Sequence, residues 1–199
     1  MIKKALFAIL VAGILVSCQR EVIPETIDVP ETTVTDIPGT SDGTIQLALT
    51  GSSNLKDYIK VSYTMVGPDD STEKGTFNNI PTSRSFELME GSAKFAVFAE
   101  KVNDIPSAMY SSEDGFTLEL SASVATPDGG KQFVLCGLKN AKIKNEEELL
   151  SKTVNAINEG LGDEMPGTGK KHFLRFDIAD DGNGSLTVST IFVSGNLID

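Results

Sequence analysis

Tryptophan is absent, tyrosine occurs three times, and a single histidine and two cysteines complete a short supply of chemically versatile side chains. Without Trp and with so few Tyr, a broad aromatic platform for stacking sugars is not expected. One His and two Cys leave too little soft-ligand material for a zinc site. Basic residues are also scarce, 17 Lys and Arg against 28 Asp and Glu, for a formal charge of −11. A nucleic-acid binder needs a basic face to neutralise phosphates, so nucleic acid is excluded as a partner. No glycine-rich phosphate loop is present, and no Ser/His/Asp set can be assembled. The 199 residues suffice for one domain with an appendage, not for two full-sized domains.

The N-terminus carries the most specific signal. Lys3 and Lys4 precede an apolar run, Ala5 to Val16. About a dozen residues are too few to cross a hydrocarbon core that needs roughly 20, so the run reads as the apolar region of a secretory signal peptide over residues 1–17. Leu15-Val16-Ser17-Cys18 follows. This resembles the lipobox of bacterial lipoproteins, which implies that the Cys18 thiol receives a lipid and that cleavage occurs before it. An ordinary signal peptide followed by an unrelated Cys is the alternative. Sulfur is required because the thiolate is the alkylation nucleophile, and several acyl chains at ~0.8 kcal/mol per buried CH₂ make a durable anchor. Gln19, rather than Asp, after the Cys resembles an outer-membrane address. Ser17-Cys18-Gln19-Arg20-Glu21 is also similar to the start of Bacteroidetes surface lipoproteins, whose acidic export signals Glu21 fits and Arg20 interrupts. The implied location is the outer membrane, lipid-anchored, on its periplasmic or extracellular face.

Residues 18–43 combine Pro24, Pro30 and Pro38 with six acids and Arg20 alone. Their apolar residues stand singly and without period, so the segment is expected to be a disordered acidic tether. Removing the signal peptide discards Lys3 and Lys4, leaving 15 basic residues against 28 acidic, net −13. That charge repels an anionic membrane surface.

From residue 44 to 199 the period is two. Ile45, Leu47 and Leu49 alternate with polar neighbours, as do Ile59, Val61, Tyr63 and Met65. Phe116 to Val124 alternates and stops at Pro127-Asp128-Gly129-Gly130, a hairpin signal from which Phe133 to Leu138 returns. Leu174, Phe176 and Ile178 precede a turn and the β-branched stretch Leu186 to Val193. Alternation with turns every 8 to 12 residues predicts a mainly β fold, an antiparallel β-sandwich of about 7–8 strands. One amphipathic helix is expected near 146–161. Asn145 is placed as its N-cap, Glu148 in the capping-box position, and Leu149, Leu150, Val154, Ile157 and Leu161 form its apolar stripe. That stripe is expected to cover an open end or face of the sandwich, and Asp163 to Lys171 to form a loop.

Candidate sites are few. Asp180, Asp181 and Asn183 cluster oxygen ligands suited to Ca²⁺, but the position of an EF-hand's bidentate Glu is occupied by Ile191. The same residues sit where a hairpin turns, and the turn is the preferred reading. His172, after Lys170 and Lys171, reads as a solvated flank. Cys136 lies in an apolar run and, with Cys18 lipidated, has no disulfide partner, so it is expected to be a buried small hydrophobe. Asp70-Ser71-Thr72 resembles the short O-glycosylation motif of Bacteroidetes, which makes Ser71 a candidate acceptor. Phe86-Glu87-Leu88, a turn with Gly91, and Phe95 to Ala99 resemble a stretch of the transthyretin-like sandwiches of fimbrillin-like lipoproteins, over about a fifth of the chain.

These readings converge on a lipid-anchored envelope protein with a non-enzymatic binding, adhesion or structural role. No cofactor is expected, and the partner beyond the membrane is an unidentified protein or glycan. The alternative is a glycan-binding accessory lipoprotein of a polysaccharide-uptake system, dependent on Tyr63 or Tyr110. A hydrolase would need two acids converging in a cleft.

Overall fold

A computed structural model describes residues 33–111, 115–159, 173–193 and 196–198, and within them the chain is mainly β. Eleven strands run in chain order: β1 Thr33–Ile37, β2 Thr44–Gly51, β3 Ile59–Val66, β4 Thr72–Phe77, β5 Thr82–Glu87, β6 Gly91–Lys101, β7 Phe116–Thr126, β8 Gly129–Ala141, β9 Leu174–Asp180, β10 Leu186–Val193 and β11 Asn196–Ile198. They form two antiparallel sheets, ordered β1-β8-β7-β2-β5 in sheet A and β11-β10-β9-β6-β3-β4 in sheet B. The sandwich therefore exists with more strands than the 7–8 expected. The surplus is short edge and connecting strands too brief to show a hydrophobic period.

Alternation explains the layers. Ile45, Leu47 and Leu49 of β2 and Leu118, Leu120, Ala122 and Val124 of β7 are all buried on one face of sheet A. Val61 and Tyr63 of β3, Phe95 and Val97 of β6, and Phe176 and Ile178 of β9 bury the facing side of sheet B. A chain of aromatic rings runs through this core from Phe77 to Tyr63, Phe86, Phe95, Phe176 and Phe133, with centroids 5.1 to 6.2 Å apart. Edge-to-face and tilted pairs of this kind add about 0.5–1.5 kcal/mol each beyond area burial. Because Phe86 and Phe133 belong to sheet A and the others to sheet B, the rings join the two layers.

Two expectations need correction. The tether was expected to run to residue 43, yet Thr33–Ile37 forms β1 and pairs along β8 from Thr33↔Val134 to Ile37↔Gly130. One apolar residue and one acid point inward, so no period announced the strand; the open edge of β8 imposes it. The Phe86–Ala99 stretch is strand, turn, strand as expected, and because its strands lie in different sheets it crosses between the layers. The helix is helical from Glu146 to Glu159 but not uniformly α: α1 Glu146–Leu150 and α2 Ala156–Glu159 flank a π-helical turn, Ser151–Asn155.

The helix start follows the sequence closely. The Asn145 side chain accepts from the Glu148 amide at 2.8 Å. The Glu148 carboxylate accepts from the amide of Lys144, one residue earlier than a capping box would use. Lys101 pairs with Asp104 and Glu146, which ties the helix to the end of β6 and keeps the ammonium above its usual pKa. Leu149, Val154 and Ile157 are buried, and the helix packs on β6 and β8. Here it covers an open flank of sheet B. β9 pairs with β6 only from Gly91 to Phe95. Beyond that, the Asn158 side-chain amide takes the place of a strand, accepting from the Ala99 N–H at 2.9 Å and donating to the Ala99 carbonyl at 3.0 Å.

Candidate functional site

A concavity lies at one edge of the sandwich. At the edge shared by β1, β10 and β11 the sheets leave a cleft of about 760 Å³. That volume falls within the roughly 300–1,000 Å³ of small-molecule sites. Its apolar floor includes Val124, Ile191 and Ile198, and its rim carries Asp36, Asp128 and Lys131 with the hydroxyls of Thr126, Thr187, Ser189 and Thr190. Asp36 sits directly across the β1–β8 ladder from Lys131. An extra residue in β10, Ser189, disrupts its register with β9 and donates its hydroxyl to the Asp177 carbonyl at 2.9 Å. Such bulges re-aim side chains at sheet edges.

None of these residues was read from the sequence as part of a site. Asp36 was read as tether and Asp128 as turn, and their meeting depends on β1 docking. Both carboxylates are exposed.

The opposite edge is closed. Tyr63, 3% exposed, packs between Phe77 and Phe86 and donates to Glu73 Oε1 at 2.8 Å. Burial, then this bond, pushes the phenol above its usual pKa. A Cβ at Gly75 would lie 2.4 Å from the Tyr63 ring, so the glycine in β4 is the space the ring occupies. Tyr63 is therefore a core residue and not a sugar-stacking one. Tyr110 is half-buried and donates to the Ile105 carbonyl at 2.9 Å.

The remaining candidates resolve individually. Asp180 Oδ1 accepts from the Gly182 and Gly184 amides, and Asp181 Oδ1 from those of Asn183 and Ser185, at 2.6 to 3.2 Å. The Asn183 and Ser185 amides hold the Asp181 carboxyl below its usual pKa. This is the hydrogen bonding of a β9–β10 turn, with Gly182 and Gly184 both at φ +85°. Among the described residues no group of three or more His, Cys, Asp or Glu is arranged to hold a metal. Ser71 is exposed in the β3–β4 turn, where its amide donates to Asp69 Oδ1 at 3.1 Å. Cys136 is a free thiol, 7% exposed, pushed up to about 11 by burial. Cys18, Leu161, the Asp163–Lys171 loop and His172 lie outside the described residues.

Two further surfaces emerged only from strand register. The outer face of sheet A carries two uncharged rows across all five strands, Thr35-Gln132-Ser123-Gln46-Ser85 and Thr33-Val134-Ser121-Ala48-Ser83. On the outer face of sheet B, Arg175 lies 3.8 Å over the Phe192 ring, with its Nη2 3.3 Å from Asp177 Oδ2, while Ser92 donates to Asp177 Oδ1. No family model, curated protein or solved structure matches the chain.

Proposed function

We propose that the chain is a lipid-anchored protein of the cell envelope, held at the outer membrane through Cys18, whose β-sandwich makes non-enzymatic contacts in binding, adhesion or structure. The observation that carries this reading is the agreement of Lys3 and Lys4, the apolar run to Val16 and the Leu15-Val16-Ser17-Cys18 box, all in one short stretch. Gln19 supports the outer rather than the inner membrane. The two uncharged rows on the outer face of sheet A support a contact role, because they are a surface on which a strongly acidic protein approaches a partner with less like-charge repulsion.

Growth with radiolabelled palmitate tests the anchor. The protein should take up label and Cys18→Ala should lose it; label that survives the substitution, or a wild-type protein without label, overturns the reading.

A further inference from the structure

The side chains lining the cleft at the β1–β10 edge select for one class of ligand, because most of their hydrogen-bond donors are already spent. Thr126 Oγ1 donates to the Gly129 carbonyl at 3.0 Å, Thr187 Oγ1 to the Ala179 carbonyl at 3.3 Å and Ser189 Oγ to the Asp177 carbonyl at 2.9 Å. A hydroxyl whose proton is committed offers a ligand only its lone pairs. Lys131, the one cationic side chain of the lining, is engaged as well. Thr190 is left as the one uncommitted side-chain donor among the described lining residues.

The acceptors, by contrast, are available. Asp36 and Asp128 are exposed, and among the described residues neither forms an ion pair. Strand register brings them to one end of the β1–β8 ladder, since Ile37, next to Asp36, pairs with Gly130, two residues after Asp128. An anion would meet two carboxylates and almost no donor, on a chain of formal charge −11. A neutral sugar would bring acceptors that find few partners, and no aromatic ring among the described lining residues is there to stack on it. For a bare metal ion, no group of three or more His, Cys, Asp or Glu is in place among the described residues.

We propose that this cleft binds small amphiphilic organic cations, with a primary ammonium head at Asp36 and Asp128 and a short aliphatic body on Val124, Ile191 and Ile198. An ammonium has three donors and no acceptor, the complement of a lining rich in acceptors and poor in donors. Its hydrogen bonds to carboxylates are charge-assisted and stronger than those between neutral groups. The apolar body buries surface that the floor already presents. The acidity of the whole chain draws cations toward it and repels anions. The inference is independent of lipidation at Cys18 and of the contact role of sheet A.

Amide chemical-shift titration of the full chain in non-ionic detergent tests it, with n-pentylammonium as the probe and pentanoate and n-pentanol as comparators. Pentylammonium should give saturable shifts at Gly129, Gly130 and Val188–Ile191, with binding at least about tenfold tighter than either comparator. Asp36→Asn combined with Asp128→Asn should erase that preference, with the β2–β7 amides unchanged as the control for folding. Asp128→Asn alone, a change confined to an exposed turn, should already weaken binding by about threefold. Equal binding of all three probes, tighter binding of pentanoate, or shifts away from the cleft overturns the proposal. So does a preference that survives the substitutions, or the absence of saturable shifts with millimolar pentylammonium.

Discussion

The two long edges of this sandwich are built from the same sheets and closed in opposite ways. At the β4–β5 edge, Phe77, Tyr63 and Phe86 fill the space between the layers, and Gly75 makes room for the Tyr63 ring. At the β1–β10 edge the inward positions are Val34, Asp36 and Lys131, too small or too polar to pack, and the layers leave a cleft. Stability follows buried apolar volume, while a recognition surface needs volume left unfilled and groups left available. One edge is therefore packed through with aromatic rings, and the other leaves a cleft between the layers.

The largest expected effect breaks the closed edge. Phe86→Ala removes a ring lying 5.5 Å from Tyr63 and 5.1 Å from Phe95 and should cost about 3–5 kcal/mol, read by urea denaturation. A cost near 1 kcal/mol would mean that the ring chain is not the mechanical link between the sheets. Next comes the sealed flank of β6. Asn158→Leu leaves the buried Ala99 with two unsatisfied backbone groups and should cost about 2–3 kcal/mol, with faster amide exchange at Ala99.

Alkaline titration probes the filled core between the two edges. Cys136 is raised in the folded state from 9.0 to about 11, so its neutral form favours folding. That contribution is complete below pH 9 and is lost as pH climbs to 11. It amounts to about 3 kcal/mol, two pH units at ~1.36 kcal/mol each. In Cys136→Ala this part of the alkaline loss should vanish, and the native thiol should resist alkylation at neutral pH. The smallest effect belongs to the open edge: Thr187→Ala at the cleft wall should change stability by less than about 0.5 kcal/mol. A large loss there would show that the cleft wall is structural and would erase the contrast between the edges.

How much was legible in advance depended on range. Strands such as Phe116–Thr126 announced themselves because each inward residue is apolar and its neighbours are not. The Asn145 cap was readable because both of its partners lie within four residues. Cys136 was placed correctly by its apolar surroundings. By contrast, Tyr63 was offered as a sugar contact because its alternation reveals a face but not what that face meets. Asp36 was lost to the tether because a single inward Val34 is no period. The π-turn within the helix has no signal of the kind a cap or an apolar stripe provides.

Sequence alone settled the alternation that makes two layers, the turns at Pro127-Asp128 and Asp180–Ser185, and the helix start. These depend on residues a few positions apart, where steric and hydrogen-bonding preferences act without help. Only the tertiary structure decided that β1 docks on β8, that Asn158 imitates a strand beside Ala99 59 residues away, and that one edge is filled while the other is a cleft. Each of those outcomes is a meeting of distant segments. It is governed by which surfaces remain unpaired after the local elements have formed, and no local pattern encodes that remainder.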